Sequence, residues 1–373
     1  MKQVLASSAP FLSGAPRGTR RILIDVLIAL SPCLIAASIF FGWHVLVNAA
    51  VCMAACYGAE YVYNRLILKK KKLPDFSCLI TGAVLALILP AKAVFSGWDF
   101  NFYADGFRTG GGADNILFSF DIILGCIIGS VFAVALVKML FGGQGKNFLN
   151  PAAAAHVFLL LCFAFTALNT TGFGFTASNG AFLDGDKGTG DTGLFLAMFI
   201  GNQASLTAGT TSAIAILAGC IYLCVRKIID FKIPLIGIGC FLLFTLLFDG
   251  MIAQSLLMRP DTPAKLFNNL AANLMAGSFL FCLVFMANDY TTAPVTFTNK
   301  VIYIAGFAFF TVLLRSFSAQ GEGAIFALLL MNVLTPLLDR YVVPKPFGYT
   351  KPEKRLKAAK KLLSEPTVQE ETA

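Results

Sequence analysis

Charged residues are scarce in this sequence. Only 13% of its 373 residues are Asp, Glu, Lys or Arg, against about 25% in soluble domains. Hydrophobic residues make up 57% of the chain, and its mean hydropathy is +0.76. A water-soluble chain of this size could not bury so much apolar surface and still cover itself with polar groups. The composition therefore excludes a soluble protein and predicts one that is solvated mainly by lipid.

Residue patterns that mark particular cofactors are also rare or absent. The two histidines, His44 and His156, are expected on opposite sides of the membrane, so we do not expect them to share a haem. The ten cysteines lie within or beside apolar stretches, where a thiol behaves as a small hydrophobe rather than a zinc ligand. No Gly-x-Gly-x-x-Gly turn stands between a predicted strand and a helix, and no cysteine run matches an iron–sulfur site. We therefore expect neither a nicotinamide site nor an iron–sulfur cluster in this chain.

What the sequence does contain is a series of long apolar runs. About 20 apolar residues are needed for one helix to cross a bilayer, and the runs predict an all-α polytopic membrane protein with about ten transmembrane helices. A shorter stretch, Gly193–Gly201, is predicted as a half-helix or re-entrant segment before the sixth span, where surrounding protein must satisfy its backbone. The predicted spans lie near Ile22–Phe41, Trp43–Asn64, Cys78–Val94, Ile116–Leu140, Ala152–Leu168, Thr211–Val225, Ile233–Phe248, Leu270–Met286, Val301–Leu314 and Ala324–Tyr341.

Basic residues flank these runs and predict the orientation of the chain. The sequence has 29 Lys and Arg and a net charge of +9, and all but six of the basic residues are assigned to the inner side. Positive charge on the inner side predicts a multi-pass protein of the cytoplasmic (inner) membrane with both termini in the cytoplasm. Orientation in the membrane also explains the excess of basic residues better than nucleic-acid binding does. The six outer residues are Lys92, Arg108, Lys187, Arg259, Lys265 and Arg315.

This orientation divides the chain into three parts. Residues 1–21 form a cytoplasmic N-terminal segment, residues 22–341 the ten-helix membrane domain, and residues 342–373 a basic cytoplasmic tail. Two sets of five spans would have opposite topologies, the arrangement that places binding sites at a repeat interface. Similarity between the two halves is weak, so a 5+5 inverted repeat rests here on the number of spans.

Charged residues inside predicted spans are the first candidates for function, because charge in the membrane is expensive. Asp25 and Glu60 lie within the first two spans. We expect them to pair near the interface with the neighbouring Arg20, Arg21 or Arg65. A cation path through them is the alternative.

The segment FGGQGKNFLNPA, residues 141–152, is predicted as a cytoplasmic turn, with Pro151 placed to begin the fifth helix. Its glycines permit close approach of the backbone to a planar ligand. A tight turn explains the glycines and the proline, but not two asparagines at a buried edge. Asn147 and Asn150 are therefore predicted to bind a ligand.

The segment AGTTSAIAILAG, residues 208–219, places three hydroxyls at a helix N-terminus. Hydroxyls at this position cap the helix, and a phosphate could dock there. Thr210, Thr211 and Ser212 are therefore predicted to contribute to a cofactor site.

Two later segments place polar groups beside or inside spans. MANDYTTAPVT, residues 286–296, gathers polar side chains just past the eighth span, and we predict cofactor-binding roles for Asp289 and Thr292. The last span carries Asn332 and Thr335, which need hydrogen-bond partners inside the membrane.

At these motifs the chain resembles a known family. It is similar to the RnfD membrane subunit of the Rnf ion-translocating electron-transfer complex and, more distantly, to the NqrB subunit of the sodium-pumping NADH:quinone reductase. The resemblance covers about Ser8 to Gly348. It is carried by SAPFLSGAPRGTRRILIDVLIALSPCLIA, DFSCLITGAVLALILP, FGGQGKNFLNPA, FMANDYTTAPVT and EGAIFALLLMNVLTPLLDRY.

The resemblance implies a ten-helix subunit that carries flavin (FMN or riboflavin) within a hetero-oligomeric membrane complex. Such a complex moves electrons between reduced ferredoxin and NAD and couples them to Na⁺ or H⁺ transport. The subunit would be part of a translocating oxidoreductase without being catalytic alone. Electrons would enter and leave through other Rnf-like subunits.

One departure from the family pattern concerns covalent FMN. Family members commonly carry a Ser/Thr-Gly-Ala-Thr-like motif in the outer loop after the fifth helix, whose last Thr forms a phosphoester. The best counterpart here is Ser178–Phe182, with Phe182 at the acceptor position. A phenyl ring has no hydroxyl, so the flavin is held without a covalent bond, another hydroxyl such as that of Thr176 is used, or the site is lost. We expect altered or absent covalent attachment.

Two other classes of function also fit a polytopic chain. A stand-alone secondary transporter or vitamin permease would use interrupted helices and inverted repeats in the same way, because fold does not fix function. A purely structural membrane scaffold is the third class, but it would not need the polar cluster around Asp289 or the buried Asn332 and Thr335.

Overall fold

The chain folds into a bundle of helices. The computed structural model describes residues 19–69, 73–89, 120–143, 145–162, 199–201, 207–252, 270–271, 273–275, 277–294, 296–317 and 323–342. Within these ranges the backbone is helical apart from turns and an isolated bridge at Thr207. This agrees with the prediction of an all-α membrane protein.

We number the helices α1 to α10 along the described chain. Two of them continue into π-helices, in which the hydrogen bonds span five residues instead of four. The bounds are α1 Thr19–Phe41, α2 His44–Leu66, α3 Phe76–Ile88, α4 Phe120–Val131 with the π-helix Phe132–Met139, α5 Pro151–Cys162, α6 Ala213–Val225, α7 Lys232–Ile252, α8 Phe279–Phe281 with the π-helix Cys282–Met286, α9 Phe297–Phe317 and α10 Ala324–Tyr341.

Four helices are long and apolar enough to cross a bilayer. They are Thr19–Phe41, Val45–Leu66, Phe297–Arg315 and Ala324–Tyr341. The shorter helices are also apolar and lie within the predicted runs. A multi-pass membrane protein is therefore confirmed by length and composition.

Two predicted spans end or break earlier than their hydropathy suggests. The third was predicted to reach Val94, but the backbone turns extended at Leu89 (φ −68°, ψ 148°). Leu89 precedes Pro90, and the residue before a proline disfavours the helical conformation. The eighth was predicted to be continuous, but it is interrupted at Gly277, whose φ is +70°. Glycine adopts this left-handed conformation without steric cost.

These interruptions meet a third irregular segment in the interior. The N–H of Ala208, in the 3₁₀ turn Ala208–Thr210, donates to the carbonyl of Leu89 at 3.3 Å. A Cβ on Gly209 would lie 2.9 Å from the Cβ of Leu87 and 3.0 Å from the ring of Phe281. The broken ends are thus covered by protein, as irregular backbone at membrane depth requires.

Helices from the two ends of the sequence pack against each other. α1 packs on α6 and α5 on α10, while α2 contacts both α3 and α4, and α9 lies between α7 and α10. Their buried residues form one large apolar core, which includes Phe241, Phe279 and Phe307 stacked in series with ring centroids 4.1 and 5.2 Å apart. The outer faces of the long helices carry exposed apolar side chains, as expected for contact with lipid; examples are Ile28, Ile35, Ile39, Leu46, Val62, Leu330, Val333 and Leu337.

Several predicted features lie outside the described residues. They include residues 1–18 of the N-terminal segment, most of the half-helix Gly193–Gly201, and the basic tail beyond residue 342. The loop that carries Thr176 and Phe182 also lies outside.

Candidate functional site

A cavity of about 230 Å³ lies among the ends of several helices. It is bordered by the start of α1, the first turns of α3 and α5, the end of α6, and the second π-helix with the loop after it. Its walls are mainly apolar, with several polar side chains among them. Its lining comprises Ile22, Leu23, Val26, Ser77, Ile80, Thr81, Val84, Lys138, Asn147, Asn150, Pro151, Ala152, Leu223, Lys227, Ile228, Ile229, Val284, Phe285, Asn288, Asp289, Tyr290 and Thr291.

The two predicted asparagines both line this cavity and are both buried, with 6% of each residue exposed. Asn150 accepts hydrogen bonds at its Oδ1 from the N–H groups of Ala152 and Ala153, at 3.1 and 3.3 Å, and so caps α5. Asn147 donates from Nδ2 to the carbonyl of Leu149 at 3.3 Å. The asparagines therefore fix the turn into α5 and place amide groups at the cavity wall.

The segment after α8 brings a carboxyl group to the same wall. Asp289 accepts at Oδ2 from the hydroxyl of Thr291 at 2.7 Å and at Oδ1 from the Thr291 N–H at 3.3 Å. Burial raises the pKa of Asp289, and the bonds from Thr291 oppose this only in part. The Nδ2 of Asn147 is 3.5 Å from Oγ1 of Thr291, so the two loops meet at this hydroxyl.

The neighbouring Thr292 is 3% exposed, and its Oγ1 has no hydrogen-bond partner among the described residues. A buried hydroxyl without a partner is costly. Thr292 does not line the cavity, although Asp289 and Thr291 do.

Hydrogen bonds that span five residues close three helix ends near the cavity. The carbonyls of Lys138, Leu223 and Cys282 each accept from the N–H group five residues later, at 2.7 to 3.0 Å. At Lys138 and Leu223 this bond is the outer one of a Schellman cap, an ordinary helix ending. At Cys282 it belongs to the π-helix Cys282–Met286. Asn288 donates from Nδ2 to the carbonyl of Leu283 at 2.7 Å, within the same region.

A buried ion pair stands at the cavity wall. Lys138 Nζ lies 2.7 Å from Oε2 of Glu60, and the two side chains are 2% and 4% exposed. The other carboxylate oxygen of Glu60 accepts from the Asp75 N–H at 3.0 Å. The prediction that Glu60 pairs with the neighbouring Arg65 was wrong, because Arg65 lies over the ring of Tyr61 instead.

A second buried carboxylate joins α1 to the end of α6. Asp25 accepts from Nε and Nη2 of Arg226 at 3.0 to 3.2 Å and from the hydroxyl of Tyr222 at 3.1 Å. The prediction that Asp25 pairs with Arg20 or Arg21 was wrong. Arg20 lies over the ring of Phe76 instead. Both acidic residues therefore bind partners distant in sequence.

The three hydroxyls predicted at the start of α6 lie at the end of that helix opposite to the cavity. Ser212 caps α6 by accepting from the Ala215 N–H at 3.4 Å. The Thr210 hydroxyl lies 2.6 Å from that of Thr207, and Thr211 donates to the carbonyl of Ala208 at 2.7 Å. α6 has 13 residues, so these hydroxyls stand about 20 Å from its cavity end. The structure thus separates them from Asn147, Asn150, Asp289 and Thr292.

The polar residues of the last helix have hydrogen-bond partners, except for the buried Nδ2 of Asn332, which has none among the described residues. Asn332 accepts at Oδ1 from the hydroxyl of Tyr303 at 2.6 Å, and Thr335 donates to the carbonyl of Met331 at 3.0 Å. Neither residue lines the cavity.

Several residues of the cavity were not singled out from the sequence. Lys138 is the most informative, because a lone lysine inside the fourth predicted span is itself a signal. Lys227 also lines the cavity and adopts a left-handed backbone, with φ of +54°. This conformation belongs to the Schellman cap that ends α6, in which the Lys227 N–H donates to the Cys224 carbonyl at 2.9 Å. Ser77 and Thr81 gave no signal, because single hydroxyls are common in membrane helices.

The residues present fit a planar, mainly apolar ligand with polar edges, such as an isoalloxazine ring. Apolar side chains of α1, α3 and α8 could cover its faces. The amides of Asn147 and Asn150, the Asp289 carboxyl and nearby hydroxyls could bind its edge heteroatoms. Most ligand sites combine apolar walls with a few placed polar groups in this way.

Comparison with known proteins identifies a family and several proteins to which this chain is similar. Residues 5–97 and 122–348 match the pattern of the NQR2, RnfD, RnfE family. The chain is 33% identical over 360 residues to the D subunit of the Na(+)-translocating ferredoxin:NAD(+) oxidoreductase complex of Acetobacterium woodii, covering 94% of this chain and 98% of that protein. It is 27% identical to the D subunit of the proton-translocating ferredoxin:NAD(+) oxidoreductase complex of Clostridium ljungdahlii (92% and 95% covered). It is also 27% identical to the D subunit of the ion-translocating oxidoreductase complex of Haemophilus influenzae (89% and 94% covered).

Proposed function

The chain belongs to the NQR2, RnfD, RnfE family, and on that premise we propose that it is the RnfD-type membrane subunit of an Rnf-like ion-translocating oxidoreductase complex. It carries electrons between the ferredoxin and NAD sides of that complex and couples them to Na⁺ or H⁺ transport. Its partners are the other Rnf-like subunits, and it is not catalytic alone. Similarity along nearly the full length of the relatives supports this function.

The cavity is the proposed site for a flavin, FMN or riboflavin, held without a covalent bond. The flavin supplies one- or two-electron redox chemistry when bound, and the protein supplies position and electrostatics. Asn147, Asn150 and Asp289 would bind its polar edge, and the apolar walls would exclude water. The observation that carries this assignment is the convergence of two buried amides, a half-buried carboxyl group and hydroxyl groups on one mainly apolar cavity.

The hydroxyls of Thr210, Thr211 and Ser212 belong to a separate location on the opposite side. We propose that a second flavin is anchored near this turn. The absence of the expected acceptor hydroxyl at Phe182 predicts that Thr176 or no residue forms a covalent bond to it.

The proposed topology has ten crossings, a 5+5 inverted repeat and cytoplasmic termini in the inner membrane. Contacts between first and sixth helices, α1 with α6, and between fifth and tenth, α5 with α10, support a pseudo-twofold relation. The two interrupted helices, α3 and α8, are the third of each set and meet near Gly209. The cavity then opens toward the cytoplasmic side, where α1 and α3 begin.

The flavin content of the purified protein tests the site. The full-length subunit in mild detergent should contain flavin that acid denaturation releases, with little or no fluorescence in its gel band. Asn150→Asp should lower that content, because aspartate caps a helix as well as asparagine but lacks the amide donor.

The matched control is Thr335→Val, which removes a buried hydroxyl outside the cavity and should leave the flavin content unchanged. A colourless wild-type protein would contradict the proposed function. Full flavin content in Asn150→Asp would contradict the assignment of the flavin to this cavity. A fluorescent band abolished by Thr176→Ala would contradict non-covalent binding alone.

The second candidate is a stand-alone secondary transporter or vitamin permease. The interrupted α3 and α8 favour it, because broken helices form midplane sites in many transporters. Such a protein would purify without partner subunits and without flavin absorbance, whereas the Rnf-like subunit should co-purify with both.

A further inference from the structure

The Lys138–Glu60 pair has an asymmetric position relative to the cavity. Lys138 is part of the cavity lining, whereas Glu60 stands behind it. The carboxylate is held from two directions, by Lys138 Nζ at 2.7 Å and by the Asp75 N–H at 3.0 Å. The positive end of the pair therefore lies nearer to any ligand in the cavity than the negative end.

Stability alone does not explain this pair. Desolvating two charges is costly, and replacing a buried pair by apolar residues is often neutral or stabilising. Lys138 also lies in the eight-residue π-helix Phe132–Met139, and π-helical segments occur frequently at functional sites. A buried ion pair in such a segment, at the wall of a cavity, indicates a functional role.

The other charges near the cavity differ in their exposure. Lys227 also lines it but is exposed, so water and salt screen its charge. Asp289 is half-buried, and its carboxylate accepts from the Thr291 hydroxyl. Arg226, which pairs with Asp25, has a side chain that is 42% exposed. Among the described basic residues that line the cavity, Lys138 is therefore the buried one.

We infer that Lys138 is a positioning residue that sets the reduction potential of the flavin, with Glu60 fixing the lysine and offsetting part of its charge. This inference rests on the proposed function. A buried cation favours the reduced, more negative form of a ligand, because charge interactions are strong at low dielectric. The flavin would supply the redox chemistry, while Lys138 and Glu60 would contribute only position and charge.

The experiment is a spectroelectrochemical titration of the flavin in the full-length subunit. Lys138→Met removes the nearer, positive charge and should lower the midpoint potential. Glu60→Gln removes the offsetting negative charge and should raise it. The double variant should lie between wild type and Lys138→Met and should recover any loss of folding, because it buries no unpaired charge.

Two further variants separate charge from structure. Lys138→Arg keeps a permanent charge and should return the potential toward the wild-type value. Asp230→Asn removes an exposed carboxylate, whose charge water and salt screen, and should leave the potential unchanged. If the pair had a purely structural role, the midpoint potentials of Lys138→Met and Glu60→Gln would shift in the same direction or not at all. Either result would overturn the inference. Absence of flavin from wild type would instead overturn the proposed function.

Discussion

At the scale of single residues, the cavity is lined by side chains that also stabilise the fold. Asn150 caps α5 through its oxygen, which leaves its amide donor for the cavity. A role for Asn150 at the site was predictable from the sequence, because an asparagine between glycines and a proline at a buried edge is unusual. The partners of the acidic residues were not predictable. Asp25 and Glu60 bind residues 201 and 78 positions away, and local sequence carries no record of such contacts.

Asp289 gives the stability of the protein a specific pH dependence. Burial raises its pKa above the ordinary value of about 3.9. Between these two values the folded protein keeps a proton that the unfolded chain has lost, so the free energy of unfolding falls as pH rises through this window. Thermal unfolding in detergent, measured across the window, should show this fall for wild type and a flatter dependence for Asp289→Asn. Asp230→Asn, at an exposed carboxyl, is the control, and an unchanged slope in Asp289→Asn would contradict the prediction.

At the scale of elements, hydropathy predicted which segments are helical more accurately than where they break. α10 has the predicted bounds Ala324–Tyr341, and α1 begins three residues before the predicted Ile22. The break at Gly277 was missed because a hydropathy window measures composition and not backbone conformation. The end of α3 was encoded in Pro90, and local backbone rules would have placed it correctly.

The crossing of α1 and α6 requires a residue without a side chain. A Cβ on Gly219 would lie 2.5 Å from the Ala29 carbonyl oxygen and 2.7 Å from the ring of Phe285. Gly219→Ala should therefore destabilise the protein by about 1–3 kcal/mol, as overpacking does. Gly239→Ala, in α7, meets nothing within 4 Å and should stabilise its helix by about 0.5–1 kcal/mol. Thermal unfolding in detergent compares the two, and equal effects would contradict the packing argument.

At the scale of the whole molecule, composition was sufficient to predict a polytopic membrane protein. Four long apolar helices and lipid-facing side chains confirm that prediction. The cavity was predictable only in part. Its asparagines and Asp289 were identified from motifs, but their approach to each other depends on how distant helices pack. The separation of Thr210–Ser212 from them could not be inferred without that packing.

The charge distribution predicts the orientation of the entire chain. A fluorescent protein fused to either terminus should fluoresce, since both termini are proposed to be cytoplasmic. Alkaline phosphatase inserted after Gly110, in a proposed outer loop, should be active, and the same insertion after Lys71 should not. Active phosphatase at both insertions, or dark terminal fusions of a correctly inserted protein, would contradict the ten-crossing topology.

The short α3 also bears on how the protein is made. Its 13 residues span about 20 Å, less than the roughly 30 Å of hydrocarbon, and the Leu89 carbonyl receives its hydrogen bond from Ala208. A ribosome must therefore synthesise more than a hundred further residues before that carbonyl meets its partner. Until then, the translocon or an insertase must protect the first half of the nascent chain. The assembly of that half is completed only after the second half has begun to enter the membrane.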